Sequence, residues 1–165
     1  MGIIDSALKF LHAPYDAADD AEEMQNEAAS LGTAKAGATG DPAAEDQLDA
    51  ARHTMWTARM RQRMRDASGS DDLARVGTDL VSGAHEYIGK AKRAGRQLIG
   101  ADVPDDAAGA QSDAMDFNNN AIGNAIGGTT GSYDEAKRAV LAEIRQSQLS
   151  PSGARTGAPG LVHRR

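Results

Sequence analysis

The sequence predicts an all-α protein: a compact bundle of about four helices, with an acidic N-terminal helical arm before it and a flexible basic tail after it. Three observations point there. Apolar residues recur at three- and four-residue steps through the long segments, which places them on one helix face. No stretch shows the sustained alternation of a half-buried strand. The 165 residues include only one Trp, two Phe and three Tyr, so a core must be built from Ala, Leu, Ile, Val and Met.

The elements follow in order. Ile3, Ile4, Ala7, Leu8 and Leu11 recur at helical spacing, and Pro14 should end that pattern. Residues 15–31 are rich in Ala, Asp and Glu, with Met24, Ala28 and Leu31 as their apolar stripe; residues 1–31 are the expected arm. Residues 32–44, poor in large apolar side chains and carrying Gly and Pro, read as a linker. A helical domain is expected over 45–148. Its first helix runs from about Glu45 to Ala67 and closes at Ser68-Gly69-Ser70. The next, from Asp71 to about Ile99, repeats Leu73, Val76, Leu80, Ala84, Tyr87, Ala91 and Leu98. Residues 100–111 read as a loop. Ser112 can cap a helix bearing Met115, Ile122 and Ile126 and stopping at Gly127-Gly128. Ser132 and Glu135 form a capping box before Tyr133–Gln148, whose stripe is Ala136, Val140, Leu141 and Ile144. Residues 149–165 are the basic tail.

Composition narrows the function. With no cysteine, disulfides, thiolate metal sites and Cys nucleophiles are excluded. No apolar run approaches the roughly 20 residues of a membrane span, and the Ile3–Leu11 stretch lacks the basic start of a signal peptide. The sequence therefore reads as that of a soluble protein made in a reducing compartment. Residues 1–50 hold eleven acids against Lys9 and Lys35, an acidic front that suits a basic partner or the chain's own arginine-rich helix. Scarce aromatics and only local basic charge argue against nucleic acid as a partner. Ile3–Leu11, with Lys9 its one cation, supports at most weak contact with a membrane surface.

Three constellations carry candidate chemistry. On the first domain helix, His53, Trp56, Met60 and Met64 share a stripe, with Asp49 one turn before His53 and arginines along both edges. A core-facing Trp/Met stripe explains the spacing, and so does a His–carboxylate pair suited to metal ligation or general base work. In Ala84-His85-Glu86, neighbouring side chains point about 100° apart. His85 lies at the margin of the apolar stripe, and Glu86 lies on the polar face with Lys90 four residues on, an ordinary helix ion pair. Third, three consecutive asparagines (Asn118, Asn119, Asn120) run against helix propensity, which implies a specific job for their side chains. Asp113, Asp116 and Asn120 share a face with Gly123 and Gly127, whereas Asn119 lies toward the core. A polar clamp with close helix approach and a carboxylate–amide site both fit.

Asp49–Trp56, Ala84–Glu86 and Met115–Gly123 together resemble a helical domain found at the C-termini of bacterial secreted and polymorphic toxins and in some phage-related proteins. Its hallmarks are an Arg-His-x-x-Trp helix, an Ala-His-Glu helix and an Asp-x-x-Asn-Asn-x-x-Gly helix. The resemblance covers roughly residues 45–127. By position it implies functional roles for Arg52, His53, Trp56, His85, Glu86, Asp116, Asn119, Asn120 and Gly123. It also implies a virion or the bacterial host cytoplasm as the location. This chain departs from the pattern at Ala50-Ala51 and at Asn124, where the family often has Asn and a basic residue.

Two functions follow as expectations. One is a phage-type virion-associated or host-delivered protein acting through protein partners in an assembly. The alternative is a metal-dependent hydrolase or toxin-type effector. There His53, His85 and Asp116 would hold a divalent metal, and Glu86 and His53 would be catalytic. Arg52, Asn119 and Asn120 would contact substrate, and Trp56 and Gly123 would be structural.

Overall fold

A computed structural model describes residues 2–30, 42–98 and 106–149. The chain forms α1 (Ile3–Ser30), α2 (Pro42–Ser68), α3 (Asp71–Leu98), α4 (Asp106–Thr129) and α5 (Tyr133–Leu149). Among the described residues there is no strand, and no helix is long and apolar enough to cross a membrane. The expected tail (149–165) lies outside the described residues except for Leu149, which ends α5.

α2 is the central helix, with α1, α3, α4 and α5 all packed against it. The burial pattern follows: Ala51, Met55, Ala58, Met60 and Met64 are buried, as are His53, Thr54, Thr57, Arg61 and Gln62. One apolar cluster joins Met24 and Ala28 of α1 to Met55 and Ala58 of α2, Ile122 and Ile126 of α4 and the α5 stripe Ala136, Val140, Leu141 and Ile144. A second joins Ala13 and Ala17 to Met60, Met64 and Ala74, flanked by Phe10, Trp56 and Val81. The Trp/Met stripe is therefore core over most of its length.

The boundaries differ from expectation where tertiary packing overrides local signals. α1 runs through Pro14. Interior proline costs a helix about 3 kcal/mol, but Ala13 and Ala17 on either side are fully buried, and the Trp56 indole Nε1 donates to the Pro14 carbonyl at 2.9 Å. The acidic helix expected as an arm lies along α2, where Asp20 accepts from Arg59 at 2.7 Å and from Arg63 at 2.9 Å. α2 opens at Pro42, inside the expected linker, with Pro in the first turn where its missing N–H costs nothing. α4 opens at Asp106 rather than at Ser112 and continues through Gly127-Gly128 to Thr129.

The stop of α2 and the starts of α3 and α5 behave as their sequences suggest. Gly69 adopts φ of +70°, a left-handed conformation that favours glycine, and Ser70 Oγ accepts the Leu73 N–H at 3.3 Å. Ser132 Oγ accepts from the Glu135 N–H at 3.3 Å, while the Glu135 carboxylate accepts from Gly131 at 2.7 Å.

α3 shows the largest departure. Its expected core residues Leu73, Val76, Leu80 and Tyr87 are each more than half exposed, and Ala74, Thr78, Ser82 and Glu86 are buried instead. Small side chains on this face let α3 approach α2 closely: a Cβ on the neighbouring Gly77 would come within 2.9 Å of Met64 Sδ and within 2.8 Å of the Phe10 ring.

α4 approaches α2 more closely still. A Cβ on Gly123 would overlap Thr57 Oγ1 and the Thr54 carbonyl, and one on Gly127 would overlap the Ala58 carbonyl. The buried Arg61 guanidinium then spans three helices, donating to the Asn124 carbonyl at 2.9 Å and to Asp71 at 2.5 Å. That guanidinium holds the Asp71 carboxyl below its ordinary range. Gly123→Ala should therefore destabilise the fold by about 1–3 kcal/mol as an overpacked contact. Gly83→Ala, in open space on α3, should stabilise by about 0.5 kcal/mol through the unfolded chain. Urea denaturation midpoints of the two variants check this, and equal shifts would contradict the close approach.

Candidate functional site

His53 projects from α2 toward the seam between α3 and α4 and is almost fully buried. Three carboxylates surround its ring. Glu86 Oε1 of α3 lies 3.6 Å from Nδ1. Asp49 Oδ2, one turn back on α2, lies 3.7 Å from Nε2, and Asp116 Oδ1 of α4 lies 3.9 Å from it. These distances exceed a hydrogen bond, and the buried Nδ1 has no hydrogen-bond partner.

Each carboxylate has its own support. Asn120 Nδ2 donates to Glu86 Oε1 at 2.9 Å, and both side chains are buried. Arg52 Nε donates to Asp49 Oδ1 at 3.1 Å, and Nη2 reaches the same oxygen. Asp116 is placed by the α4 register that Gly123 and Gly127 set against α2. Three carboxylates, Asp49, Glu86 and Asp116, thus gather around one imidazole at a mostly buried site, with Arg52 beside Asp49.

One ligand atom each from Asp49, His53 and Asp116 lies within 4.8 Å of the others, a spacing at which a single ion can contact all three. His53 would bind through Nε2. Its Nδ1–H would then face Glu86, the carboxylate–histidine–metal arrangement that fixes tautomer and ring orientation. One imidazole with two carboxylates suits Mn²⁺ or Zn²⁺ better than a soft metal.

The structure brings together His53, Asp116 and Glu86 from three helices, a convergence that the sequence alone does not establish. The third donor of the triad is Asp49 rather than His85. His85 is exposed, its ring 5.2 Å from Trp56 and 6.3 Å from His53, on the wall of a groove of about 650 Å³ that also has Arg52, His53 and Trp56 in its lining. Glu86, expected on a solvated face, is buried against Asn120. Asn119 is buried and its carbonyl accepts from Thr54 Oγ1 at 3.4 Å, so it clamps α4 to α2. Neither Asn119 nor Asn120 lines the groove. Gly123 acts structurally, as expected.

The chain matches the family described as Domain of unknown function (DUF6973) over residues 8–149. It belongs to that family. The DUF6973 match takes in the five helices almost entirely, from within α1 to the end of α5. No curated protein and no solved structure matches the chain.

Sequence reasoning passed over Asn124, whose side chain donates to the Arg75 carbonyl at 3.3 Å and to Asp79 and whose carbonyl accepts from Arg61. Its place four residues after Asn120 was the available signal. It takes Arg61 only as an edge of the α2 stripe, whereas it pairs Asp49 with His53 from the spacing alone.

Glu86→Ala should leave the buried Asn120 amide unpaired and cost about 1–3 kcal/mol. Glu86→Gln keeps an acceptor oxygen and should recover most of that loss. Thermal or urea unfolding of both variants measures it, and equal stabilities would mean that the Asn120–Glu86 bond does not hold the site.

Proposed function

We propose that this domain is a divalent-metal-dependent hydrolase whose centre is His53 with Asp49 and Asp116. What carries the reading is the chemistry and spacing of that triad: three hard or borderline donors near one point, backed by a third carboxylate, Glu86, on the far nitrogen of the imidazole. A bound divalent ion supplies Lewis acidity toward an ester or phosphoester oxygen and toward water.

The protein's own groups have separate tasks. Glu86, held by Asn120 at 3.6 Å from His53 Nδ1, would favour a proton on that nitrogen through its charge and so leave Nε2 to ligate. Arg52, half exposed beside Asp49, can turn its remaining donors to an oxyanion of the substrate. His85, exposed on the groove wall next to His53, can exchange a proton with a group in the groove. Glu86 is in this reading a positioning residue, because it faces His53 from the side away from the groove.

The second reading is a phage-type virion-associated or host-delivered protein that works through protein contacts, in a virion or a bacterial cytoplasm. The observation that favours it is the exposed apolar row on α3, Leu73, Val76, Leu80, Tyr87 and Ile88. The likeness of the three motifs to toxin-associated domains suits a delivered hydrolase equally well.

Calorimetric titration with Mn²⁺ and Zn²⁺ separates the two. The hydrolase reading expects one ion per chain, affinity lost at least about 100-fold in His53→Ala and Asp116→Asn, and a loss of about 10–100-fold in Glu86→Gln, as for groups that orient a ligand. Metal-dependent hydrolysis of bis(p-nitrophenyl) phosphate or p-nitrophenyl acetate should disappear in folded Asp116→Asn. Folded wild type that binds neither ion would contradict the reading.

A further inference from the structure

The groove over His53 runs between α1 and α3, and its lining is chemically divided. Arg52, His53 and His85 supply the charged or titratable part. Leu11, Pro14, Trp56, Leu80, Val81 and Ile88 form most of the remaining wall. Its volume of about 650 Å³ falls within the roughly 300–1,000 Å³ of small-molecule sites. Besides those three side chains, and the Trp56 N–H already donated to Pro14, only the Tyr15 hydroxyl adds a polar side-chain group to the lining, so a sugar or nucleotide would find few partners along that wall. An apolar chain would instead cover Leu80, Leu11 and Ile88, all more than half exposed.

We infer that the groove binds the apolar chain of an amphiphile whose ester or phosphoester head lies at His53. The head's place rests on the metal-dependent reading above, whereas the chain's place rests on the groove lining alone. The exposed α3 row continues the apolar surface beyond the groove through Val76 and Leu73. The amphiphile therefore comes either from a lipid surface or from free monomers in solution.

The molecule carries its own reporter, because its single tryptophan, Trp56, lines the groove. Full-length protein is titrated with n-alkanols of rising chain length, and with n-alkyl phosphates and inorganic phosphate in the presence and absence of Zn²⁺. All are kept below the concentration at which they aggregate. A saturable blue shift of Trp56 emission is expected, with affinity rising about fourfold for each methylene buried. Ala84→Phe, which fills the groove from an exposed position of α3, should abolish it. Leu73→Glu, equally exposed but outside the groove, should not.

Affinity independent of chain length, or equal loss in the two variants, would overturn the inference. Alkanols that bind with the expected chain dependence while Zn²⁺ adds nothing for alkyl phosphates would uphold the chain site and sink the metal-dependent reading. Zn²⁺ binding without any chain dependence would do the reverse. Vesicles of phosphatidylglycerol assign the source. A blue shift that Ala84→Phe also removes points to bilayer lipid, and a response to monomers alone points to a free amphiphile.

Discussion

Everything at the candidate site depends on how closely α4 lies on α2. Gly123 and Gly127 let the α4 backbone rest on the Thr54 and Ala58 carbonyls, where any Cβ would collide. That contact fixes the register of α4 along α2. Asp116 and Asn120 stand two turns and one turn before Gly123 on the same helix, so the register carries Asp116 to His53 Nε2 and Asn120 to Glu86. Arg61 and Asn124 lock the other end of the seam and draw in α3 through Asp71 and Asp79.

The central helix is an unusual choice for a core. α2 carries arginines at 52, 59, 61, 63 and 65, yet packs against four other helices. Four of these arginines pair with other helices or the turn after α4: Asp20 takes Arg59 and Arg63, Asp71 takes Arg61, and the Gly127 and Thr130 carbonyls take Arg65. Such pairs contribute little net stability once desolvation is counted. What they add is specificity, since a slipped helix would strand a buried guanidinium. The acidic front of the chain has this use: it neutralises α2 from within the same molecule.

Much of this was legible before any coordinates. The helical class, the α5 stripe, the Gly69 stop and the Ser132 cap all follow from local rules. The triad members were each visible, His53 with Asp49 one turn before it as a His–carboxylate pair and Asp116 by its place before the asparagine run, but not that Asp49 rather than His85 stands with Asp116. The inverted face of α3 was not legible, because hydrophobic periodicity marks a stripe without saying which side a neighbour can approach. There the small row Ala74, Thr78 and Ser82 won over the bulky one. Glu86 was misread for the same reason: once that row turns inward, the position four residues after Ser82 turns inward with it. Pro14 ended a local pattern without ending the helix, because burial of Ala13 and Ala17 outweighs one lost hydrogen bond. The DUF6973 match runs from within α1 to the end of α5 and so includes every residue placed at the candidate site.

The central claim is that Asp49, His53 and Asp116 hold one divalent ion, oriented from behind by Glu86. Anomalous diffraction from crystals of the wild-type protein soaked in Mn²⁺ tests it most directly. The account predicts a single strong peak bounded by the Asp49 and Asp116 carboxylates and within about 2.0–2.3 Å of His53 Nε2. A peak elsewhere, or none in crystals that diffract with His53 and its carboxylates in place, would contradict it and leave the three acids around one histidine as a buried polar clamp.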